Sequence, residues 1–383
     1  MGTVLFCLET KKDRPHSVSL TACDGAVKDD HTLWSVMVWY RMLEFTPIVS
    51  RWVKYRPRPG VALPNMLPDN IENTEIAEAL PDEQDADIYP DDRDAPLFPE
   101  AQAAIIFDSV YFHYDTSRFS FDGSPDVLDG VSVDIARGEF VVVIGANGSG
   151  KTSFARHINA LLVPTQGRVL VVGMDTADPG RLFEIRATAG MVFQNPNAQI
   201  VASVVADDVA FGPENLNVQQ PELSRRIDLA LAAVSMSEVA EDDPAELSGG
   251  QRQLISIAGI LAMQPEILIL DEPGSMLDVQ GRAQINHIIR ELNERGMTVV
   301  LITHFMEEAL DADRIIVMDA GKIALDGTPA EVFSHTDELR SFGLDIPFTM
   351  LVAEALAGYG LPITSTFDTD SLIEEICSWY WNR

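Results

Sequence analysis

The stretch VVVIGANGSGKTS, residues 141–153, decides the fold of this 383-residue chain. Its second part fits the pattern GxxxxGK[ST], in which glycines let backbone N–H groups point at phosphate oxygens. The apolar residues before it predict a buried strand. The residues after it predict a helix, whose positive N-terminal end attracts anions. A strand, a glycine-rich loop and a helix in this order predict a phosphate-binding loop; a plain glycine turn is the weaker alternative.

The loop supplies the first set of candidate site residues. The Lys151 side chain can reach the β- and γ-phosphates of a nucleotide, and the Thr152 hydroxyl can ligate Mg²⁺. The expected nucleotide contacts all lie in this one stretch: Gly145, Asn147, Gly148, Ser149, Gly150, Lys151, Thr152 and Ser153.

A second candidate element is ILILDE, residues 267–272. Its apolar part predicts a buried strand that delivers Asp271 to the edge of the sheet where ligands bind in open α/β folds. We expect Asp271 to hold Mg²⁺ through water and Glu272 to polarise an attacking water. An apolar strand that ends in acids is common, so this pattern gains its value from the phosphate loop.

The flanking patterns alternate between strand and helix. Strand patterns occur at residues 104–114, 127–140, 266–270 and 296–303, and residues 283–295 are helical before Gly296. Such alternation predicts a parallel sheet covered on both faces. From Pro329 onward the pattern is helical, and Ser371 with Glu374 fits a capping box for the last helix.

The first hundred residues differ in composition from the rest of the chain. Residues 31–59 hold Trp34, Trp39 and Trp52 among basic residues, which allows an interfacial amphipathic helix or an extension that is not native. Residues 69–100 hold 12 acidic residues and one arginine, which predicts a disordered linker. The expected domains are therefore residues 1–100 as extension and linker, 101–340 as the α/β domain, and 341–383 as a helical region.

The pentapeptide LSGGQ, residues 247–251, points to a family. With the phosphate loop and ILILDE, it makes the chain resemble the ATP-binding cassette (ABC) ATPases, whose signature motif it matches. The resemblance implies a P-loop NTPase fold with antiparallel β and helical subdomains, the latter at about residues 195–262. It also implies that Ser248, Gly249, Gly250 and Gln251 bind the nucleotide held by a second subunit. A plain helix N-cap is the alternative.

The same resemblance assigns further residues. Tyr114 resembles the aromatic residue that stacks on adenine, with Tyr111 and Phe112 as close alternatives. Gln194 resembles the glutamine that contacts Mg²⁺ and the attacking water, and His304 the histidine that contacts the γ-phosphate. The segment SMLD, residues 275–278, resembles the loop that crosses the dimer interface, with Asp278 near the nucleotide. Lys151, Gln194, Glu272 and His304 are thus the expected catalytic residues, and Thr152, Gln194 and Asp271 the expected metal ligands.

Two positions depart from the family. Gly274 replaces the Thr or Ser usual after DEP, and Leu254 stands where an arginine usually follows LSGGQxQ. Neither change removes a catalytic group.

The subtype follows from longer segments. Residues 150–167, 193–216, 271–278 and 343–356 together resemble the ATPases of energy-coupling factor importers for vitamins, cobalt and nickel. QNPNAQ at residues 194–199 is similar to the first of their two ATPase types. This resemblance implies a second ATPase subunit, either identical or different. It also implies a transmembrane coupling subunit, a substrate-binding membrane subunit, and C-terminal helices that dimerise. Only 97 positions separate Lys151 from Ser248, which leaves no room for the coiled coil of chromosome-maintenance ATPases.

Residues 193–216 are expected to join hydrolysis to transport. Residues 195–199 form the loop that senses the γ-phosphate, and Ile200 and Val201 line a groove for a membrane subunit. Val204 and Val205 line this groove or belong to the core. Asp207 and Asp208 contact basic residues of the partner or are a solvated helix start.

The overall composition of the chain reduces the classes of function that it could have. A formal charge of −32 argues against nucleic-acid binding. Cys7, Cys23 and Cys377 form no CxxC pair, which favours free thiols in a reducing compartment. No apolar run reaches the length of a membrane helix, and the N-terminus lacks the order of a secretory signal. We therefore expect a peripheral protein at the cytoplasmic face of the cell membrane.

Three other functions stay open on the sequence. The chain is alternatively the ATPase of another ABC importer, a soluble ABC ATPase not linked to transport, or a cassette that binds ATP without turnover. The presence of both Glu272 and His304 argues against the last of these.

Overall fold

The computed structural model describes residues 5–11, 14–23, 103–114, 126–363 and 369–381. It divides the chain into two compact units, one formed by residues 1–85 with 358–360 and the other by residues 86–357 with 361–383. In the first unit, strands β1 (Leu5–Lys11) and β2 (Arg14–Cys23) pair antiparallel, with an irregularity at Thr10/Lys11. The predictions for residues 24–100 lie outside the described residues.

Ten strands of the second unit form two sheets. In chain order they are β3 (Ala103–Phe112), β4 (Leu128–Ala136), β5 (Phe140–Gly145), β6 (Gln166–Val171), β7 (Met174–Asp175), β8 (Ala189–Val192), β9 (Ile267–Asp271), β10 (Thr298–Ile302), β11 (Arg314–Asp319) and β12 (Lys322–Gly327). The larger sheet has the order β12-β11-β5-β10-β9-β8 and is parallel except for the β12 edge. The smaller sheet, β4-β3-β6-β7, is antiparallel.

Ten α-helices complete the described part of the chain. They are α1 (Lys151–Ile158), α2 (Leu182–Thr188), α3 (Val205–Asn215), α4 (Glu222–Ala233), α5 (Gly249–Ala262), α6 (Val279–Glu294), α7 (Pro329–Ser334), α8 (Thr336–Ser341), α9 (Phe348–Gly358) and α10 (Thr369–Trp381). None of these helices is both long enough and apolar enough to cross a membrane.

The large sheet is buried on both faces because its strands are apolar throughout. Along β5, Val142 and Ile144 face one core, which includes the helices that follow β8 and β9. Val141 and Val143 face the other core, which α1 shares with the smaller sheet. There the rings of Phe107 and Phe154 stack with centroids 4.3 Å apart. Successive side chains of a strand point to opposite faces, so a continuous apolar run is what a doubly covered strand needs.

Helices α3, α4 and α5 form the helical subdomain, inside the range expected for it. Their core includes Val209, Leu231 and Ile255, each at most 2% exposed. They are inserted between β8 and β9, two strands that are neighbours in the sheet. Because β8 and β9 run parallel, the insertion leaves the sheet at the carboxyl end of β8 and re-enters it at the amino end of β9.

The C-terminal region is helical as predicted, but the prediction of a capping box at Ser371 is wrong. Helix α10 begins at Thr369, so Ser371 lies in its first turn and is not the N-cap residue. A capping box is present at α7, where the Thr328 and Glu331 side chains each bond the backbone of the other residue. Ala353, Ile363 and Leu372 form a small separate core that joins α9 to α10.

Candidate nucleotide-binding site

The phosphate loop connects β5 to α1 through glycines that no other residue replaces without strain. Gly145, Gly148 and Gly150 have φ angles of 158°, 82° and 105°. A Cβ on Gly150 would lie 2.7 Å from the carbonyl oxygen of Val127. Glycine tolerates these positive angles because it has no Cβ. The turn thus brings the first residues of α1 directly beneath the loop.

Lys151 is held inside the loop that precedes it. Its side chain is 6% exposed, and Nζ donates to the carbonyl oxygens of Gly145 at 2.8 Å and Ala146 at 3.0 Å. Burial lowers the pKa of Lys151, and the nearby carboxylates of Glu272 and Asp271 oppose this shift. A buried cation with two neutral acceptors provides positive charge for a phosphate in a region that excludes water.

Thr152 and Asp271 connect the start of α1 to the end of β9. The Thr152 hydroxyl donates to Asp271 Oδ1 at 3.2 Å. Asp271 is 4% exposed, and burial raises its pKa while the Thr152 hydrogen bond lowers it. Two oxygen donors at this point suit Mg²⁺, which binds few protein oxygens and completes its shell with phosphate and water. No cluster of three or more His, Cys, Asp or Glu that could hold a metal occurs among the described residues.

Glu272 is the meeting point of three segments. Its Oε2 accepts a hydrogen bond from Gln194 Nε2 at 3.0 Å and lies 3.3 Å from His304 Nδ1. Gln194, Glu272 and His304 follow β8, β9 and β10, which are adjacent in the sheet. Because the carboxyl ends of parallel strands meet at one edge, the three side chains converge there. Glu272 itself has a φ of 49°, in the left-handed region.

Among the three aromatic candidates, Tyr114 has the most accessible ring. Tyr114 is 45% exposed, and its hydroxyl lies 3.1 Å from Ser153 Oγ on α1. Phe112 is buried and packs its ring edgewise against Tyr114 and His157. The ring of Tyr111 lies against Gly130. An exposed ring beside the phosphate loop is the one that a base can stack on.

The signature residues lie apart from this cluster, at the start of α5. Ser248 is the N-cap, and its Oγ accepts from the Gln251 N–H at 3.2 Å, while Gln251 Oε1 accepts from the Ser248 N–H at 2.9 Å. The segment therefore caps α5, which is compatible both with a nucleotide-binding signature and with a plain N-cap. Its glycine N–H groups still form the positive end of a helix. In the same way, Asp278 caps α6 by accepting from the Gly281 N–H at 2.8 Å.

Two glutamines fix the backbone of Phe193, the residue before Gln194, and one of them, Gln253, was not among the expected site residues. Gln199 Oε1 accepts from the Phe193 N–H at 3.0 Å, and Gln253 Nε2 donates to the Phe193 carbonyl at 3.3 Å. Gln253 lies on α5 and is 1% exposed. The backbone next to Gln194 is thereby attached to the helix that begins with the signature. No spacing in the sequence signals this contact, since 60 residues separate Phe193 from Gln253.

The departure at Leu254 has a structural reason. Leu254 is 6% exposed and belongs to the core of the helical subdomain. The arginine of this segment is Arg252, which donates to the Leu247 carbonyl at 2.5 Å. A guanidinium at position 254 would be buried in apolar surroundings, where an unpaired charge is costly.

The expected partner-binding stretch is divided between surface and core. Val201 and Phe211 are 64% and 55% exposed, whereas Val205 is fully buried. Val205 is thus core and lines no groove. Asp208 Oδ1 accepts from the N–H groups of Val201 at 2.7 Å and Ala202 at 3.0 Å. This carboxylate therefore fixes the turn before α3, and Asp207 is the exposed member of the pair.

Comparison with known proteins places this fold and site in a class. A sequence profile described as ABC transporter matches residues 128–275. CbiO1 from Clostridium perfringens, part of the ABC transporter complex cbiONQ, superposes with a TM-score of 0.56 at 31% identity, over 63% of this chain and 94% of that one. The dimeric cassette MJ0796 with ADP and Pi superposes with a TM-score of 0.54 at 29% identity, over 59% and 98% of the two chains. Fold and site together define an ABC cassette ATPase.

Sequence relatives identify the family within that class. The energy-coupling factor transporter ATP-binding protein EcfA1 of Symbiobacterium thermophilum is 52% identical over 272 residues, 70% of this chain and 95% of the relative. EcfA1 of Clostridium novyi is 49% identical over 271 residues, 70% of this chain and 96% of the relative. The chain belongs to the energy-coupling factor transporter ATP-binding proteins. The resemblance drawn from its motifs is confirmed.

Proposed function

We propose that this chain hydrolyses Mg·ATP in a cassette dimer and thereby drives uptake of a vitamin or a transition-metal ion through an energy-coupling factor complex. The observation that carries the proposal is the convergence of Gln194 and His304 on Glu272 beside the phosphate loop. Family membership supports the transport part, since the relatives are transporter ATP-binding proteins. CbiO1, a structural neighbour, is part of an ABC transporter complex.

The chain's own residues account for hydrolysis. Glu272 accepts a hydrogen bond from water that attacks the γ-phosphate, and Gln194 and His304 orient the carboxylate and the water. Lys151 neutralises charge that develops on the phosphate oxygens. Positioning and charge neutralisation together are the main contributions to phosphoryl transfer.

Thr152, Asp271 and Gln194 are the residues that would hold Mg²⁺. Their hydroxyl, carboxylate and amide oxygens are the ligand types that this ion prefers. When bound, the ion neutralises charge on the β- and γ-phosphates. Burial raises the pKa of Asp271 against the opposing effects of Thr152, Arg156 and Lys151, and a cation at this point would further favour the ionised carboxylate.

The site is completed by a second cassette. Ser248, Gly249, Gly250 and Gln251 contact the nucleotide of the partner, with Asp278 at the interface. The partner is an identical chain or a second ATPase type, and the C-terminal helices α9 and α10 contribute to the dimer. A transmembrane coupling subunit and a substrate-binding membrane subunit receive the motion of the helical subdomain. The chain thus acts at the cytoplasmic face of the membrane.

Tyr114 is the residue that stacks on adenine in this proposal. Its exposed ring and its hydrogen bond to Ser153 place it beside the loop that binds the phosphates. Stacking on a ring tolerates any purine, so specificity for ATP over GTP would arise elsewhere.

Isolation of the full chain from membranes tests the transport assignment. We expect the tagged chain to co-purify with a multi-span protein and with a second cassette, and to hydrolyse ATP faster in that complex than alone. Cells that lack the gene should lose accumulation of one vitamin, or of cobalt or nickel. The wild-type gene should restore it, and a Glu272→Gln gene should not. An active chain that is recovered only as a soluble dimer, with uptake unchanged in the deletion, would support the soluble ABC ATPase instead.

A further inference from the structure

The space next to Gly274 is filled by side chains from two other segments. A Cβ on Gly274 would lie 3.0 Å from both Cγ and Cδ of Arg282 and 3.1 Å from Oε1 of Glu308. Arg282 lies in the first turns of α6, and Glu308 lies in the 3-10 turn after His304. The absent side chain at position 274 therefore leaves room for an arginine and a carboxylate to approach each other over the backbone.

Arg282 contacts both of the loops that flank it. Its Nη1 donates to the Leu277 carbonyl at 3.2 Å, within the segment 275–278. Its guanidinium carbon lies 4.2 Å from the centre of the Phe305 ring. A guanidinium over an aromatic face is attracted by the negative face of the ring. One side chain thus joins the backbone of segment 275–278 to the residue after His304.

Phe305 carries this contact to His304. The two rings have centroids 4.1 Å apart and are inclined by 37°. His304 Nδ1 in turn lies 3.3 Å from Glu272 Oε2. A continuous series of contacts therefore runs from Leu277 through Arg282 and Phe305 to the catalytic carboxylate.

Glu308 is a buried carboxylate near Arg282, on the same side of Gly274. It is 6% exposed, its carboxylate accepts from the side chains of Thr303 and Asn286, and the Arg282 guanidinium and the His304 ring also favour its ionised form. Burial raises the pKa of Glu308, and these four groups oppose the shift. The negative charge of Glu308 therefore attracts the guanidinium of Arg282, whose direct contacts are with the Phe305 ring and the Leu277 carbonyl.

The outer side of segment 275–278 is exposed. Met276 in this segment is 55% exposed, and Val279, the first residue of α6, is 50% exposed, although both are apolar. In the proposed function this segment meets the second cassette. A partner that presses on it would therefore act on the backbone that Arg282 holds.

We propose that Arg282 is a positioning residue that transmits contact at segment 275–278 to the orientation of His304 toward Glu272. The inference rests on the proposed function, in which His304 and Glu272 act on ATP and segment 275–278 lies at the dimer interface. Arg282 touches neither nucleotide nor water. It acts through Phe305.

The first test compares two arginines of α6 in the complex that co-purifies with the full chain. Arg282→Met should lower kcat about tenfold or more, since a shift of about 1 Å in a catalytic group can cost as much as 100-fold. KM for Mg·ATP and the melting temperature should stay near the wild-type values. Arg290→Met is the matched control, because Arg290 is an exposed residue of the same helix that pairs with Asp311. It should leave kcat unchanged.

A double-mutant cycle separates transmission through His304 from a general structural role. His304→Ala alone should lower kcat strongly, and adding Arg282→Met should lower it no further, because coupled residues do not act additively. An additive loss, or a wild-type kcat for Arg282→Met, would overturn the inference and leave the proposed function intact. A wild-type kcat for His304→Ala would overturn the role of His304 and this inference with it.

Phe305→Leu provides a second entry to the same cycle if Arg282→Met does not fold. It removes the ring between Arg282 and His304 and leaves both end groups in place. We expect the same loss of kcat and the same absence of a further effect in the His304→Ala background. An unchanged kcat for Phe305→Leu would overturn transmission through this ring.

Discussion

The two phosphate-binding segments of this chain, the loop at residues 145–152 and the signature at residues 247–251, differ in how far folding completes them. In the loop, Lys151 bonds two carbonyls of its own segment, and a Cβ on Gly145 would lie 2.3 Å from the Met318 carbonyl oxygen. In the signature, a Cβ on Gly249 would meet no heavy atom of the described residues within 4 Å beyond its chain neighbours and the backbone of its own helix, whereas one on Gly250 would lie 2.9 Å from Cδ2 of Leu277. The lysine of the loop is thus enclosed by its own segment, whereas the signature is open on one side, at Gly249.

This difference indicates that the two segments have different roles. In the proposed function, one chain assembles as it folds the loop that binds the nucleotide phosphates. Hydrolysis in that proposal needs a second chain, because the open side of the signature meets the nucleotide that another subunit holds.

The largest effect is expected for Glu272→Gln. The variant keeps both phosphate-binding segments and removes the carboxylate that Gln194 and His304 contact. Loss of a general base typically slows a reaction by about 10²–10⁴-fold, so kcat should fall by about 1,000-fold. The affinity for ATP should be unchanged, and a stable ATP-bound dimer should accumulate. Single-turnover hydrolysis, equilibrium nucleotide binding and light scattering measure the three quantities. Wild-type turnover by the pure variant would exclude this role of Glu272.

Gly249→Asp tests the open side of the contrast. The open space around Gly249 lets the variant fold, but the new carboxylate faces the phosphates of the partner's nucleotide. We expect kcat to fall about 100-fold, the loss typical of removing one stabilising contact to transition-state charge. Binding of ATP to the single chain should stay at the wild-type level. In the Glu272→Gln background, Gly249→Asp should abolish the ATP-dependent dimer. Normal turnover from a strictly monomeric preparation would contradict completion by a second cassette.

The same substitution should destabilise the chain when it is made in the loop and leave stability nearly unchanged when it is made in the signature. Gly150→Ala places a Cβ 2.7 Å from the Val127 carbonyl at a φ of 105°, so it should lower the free energy of unfolding by about 2 kcal/mol. Gly249→Ala adds a better helix former in open space and should change stability by no more than about 0.5 kcal/mol. Urea denaturation of the nucleotide-free chain compares them. Equal losses would remove the structural basis of the contrast.

The smallest effect is expected for Asp271→Asn in the absence of nucleotide and magnesium. Burial raises the folded pKa of Asp271 above the ordinary value of 3.8, so the folded state binds more protons than the unfolded state. The stability that this group contributes is present below pH 3.8 and is lost as pH rises through the folded pKa. The variant should therefore be slightly more stable than wild type at neutral pH and equal to it at low pH. Asp278→Asn is the control, because asparagine caps a helix as well as aspartate does.

Sequence reasoning succeeded where chemistry is local in the chain. The phosphate loop and LSGGQ each carry their glycines and polar residues within one short segment, and the paired strands follow from apolar runs. The convergence on Glu272 was predictable because parallel strands end at one edge. The family itself followed from the order of these motifs.

Contacts between distant segments left no signal. Gln253 reaches Phe193, and Arg282 reaches Phe305, only because folding brings their elements together. The cap at Ser371 failed because α10 starts two residues earlier. Asp208 resembled a partner contact because a carboxylate that fixes a turn and one that faces solvent look the same in sequence. The glycine at position 274 was visible as a departure, but its neighbours were not.

The backbone φ angle of Glu272 has a consequence for any attempt to raise the thermal stability of this ATPase. A non-glycine residue at a φ of 49° holds the chain in a conformation that costs about 1–3 kcal/mol. Glycine at position 272 would relieve that strain, so selection for heat resistance alone would favour it. The thermostable descendants of such a selection would fold, bind ATP and no longer turn it over. At position 272, thermal stability and ATP hydrolysis are therefore opposed.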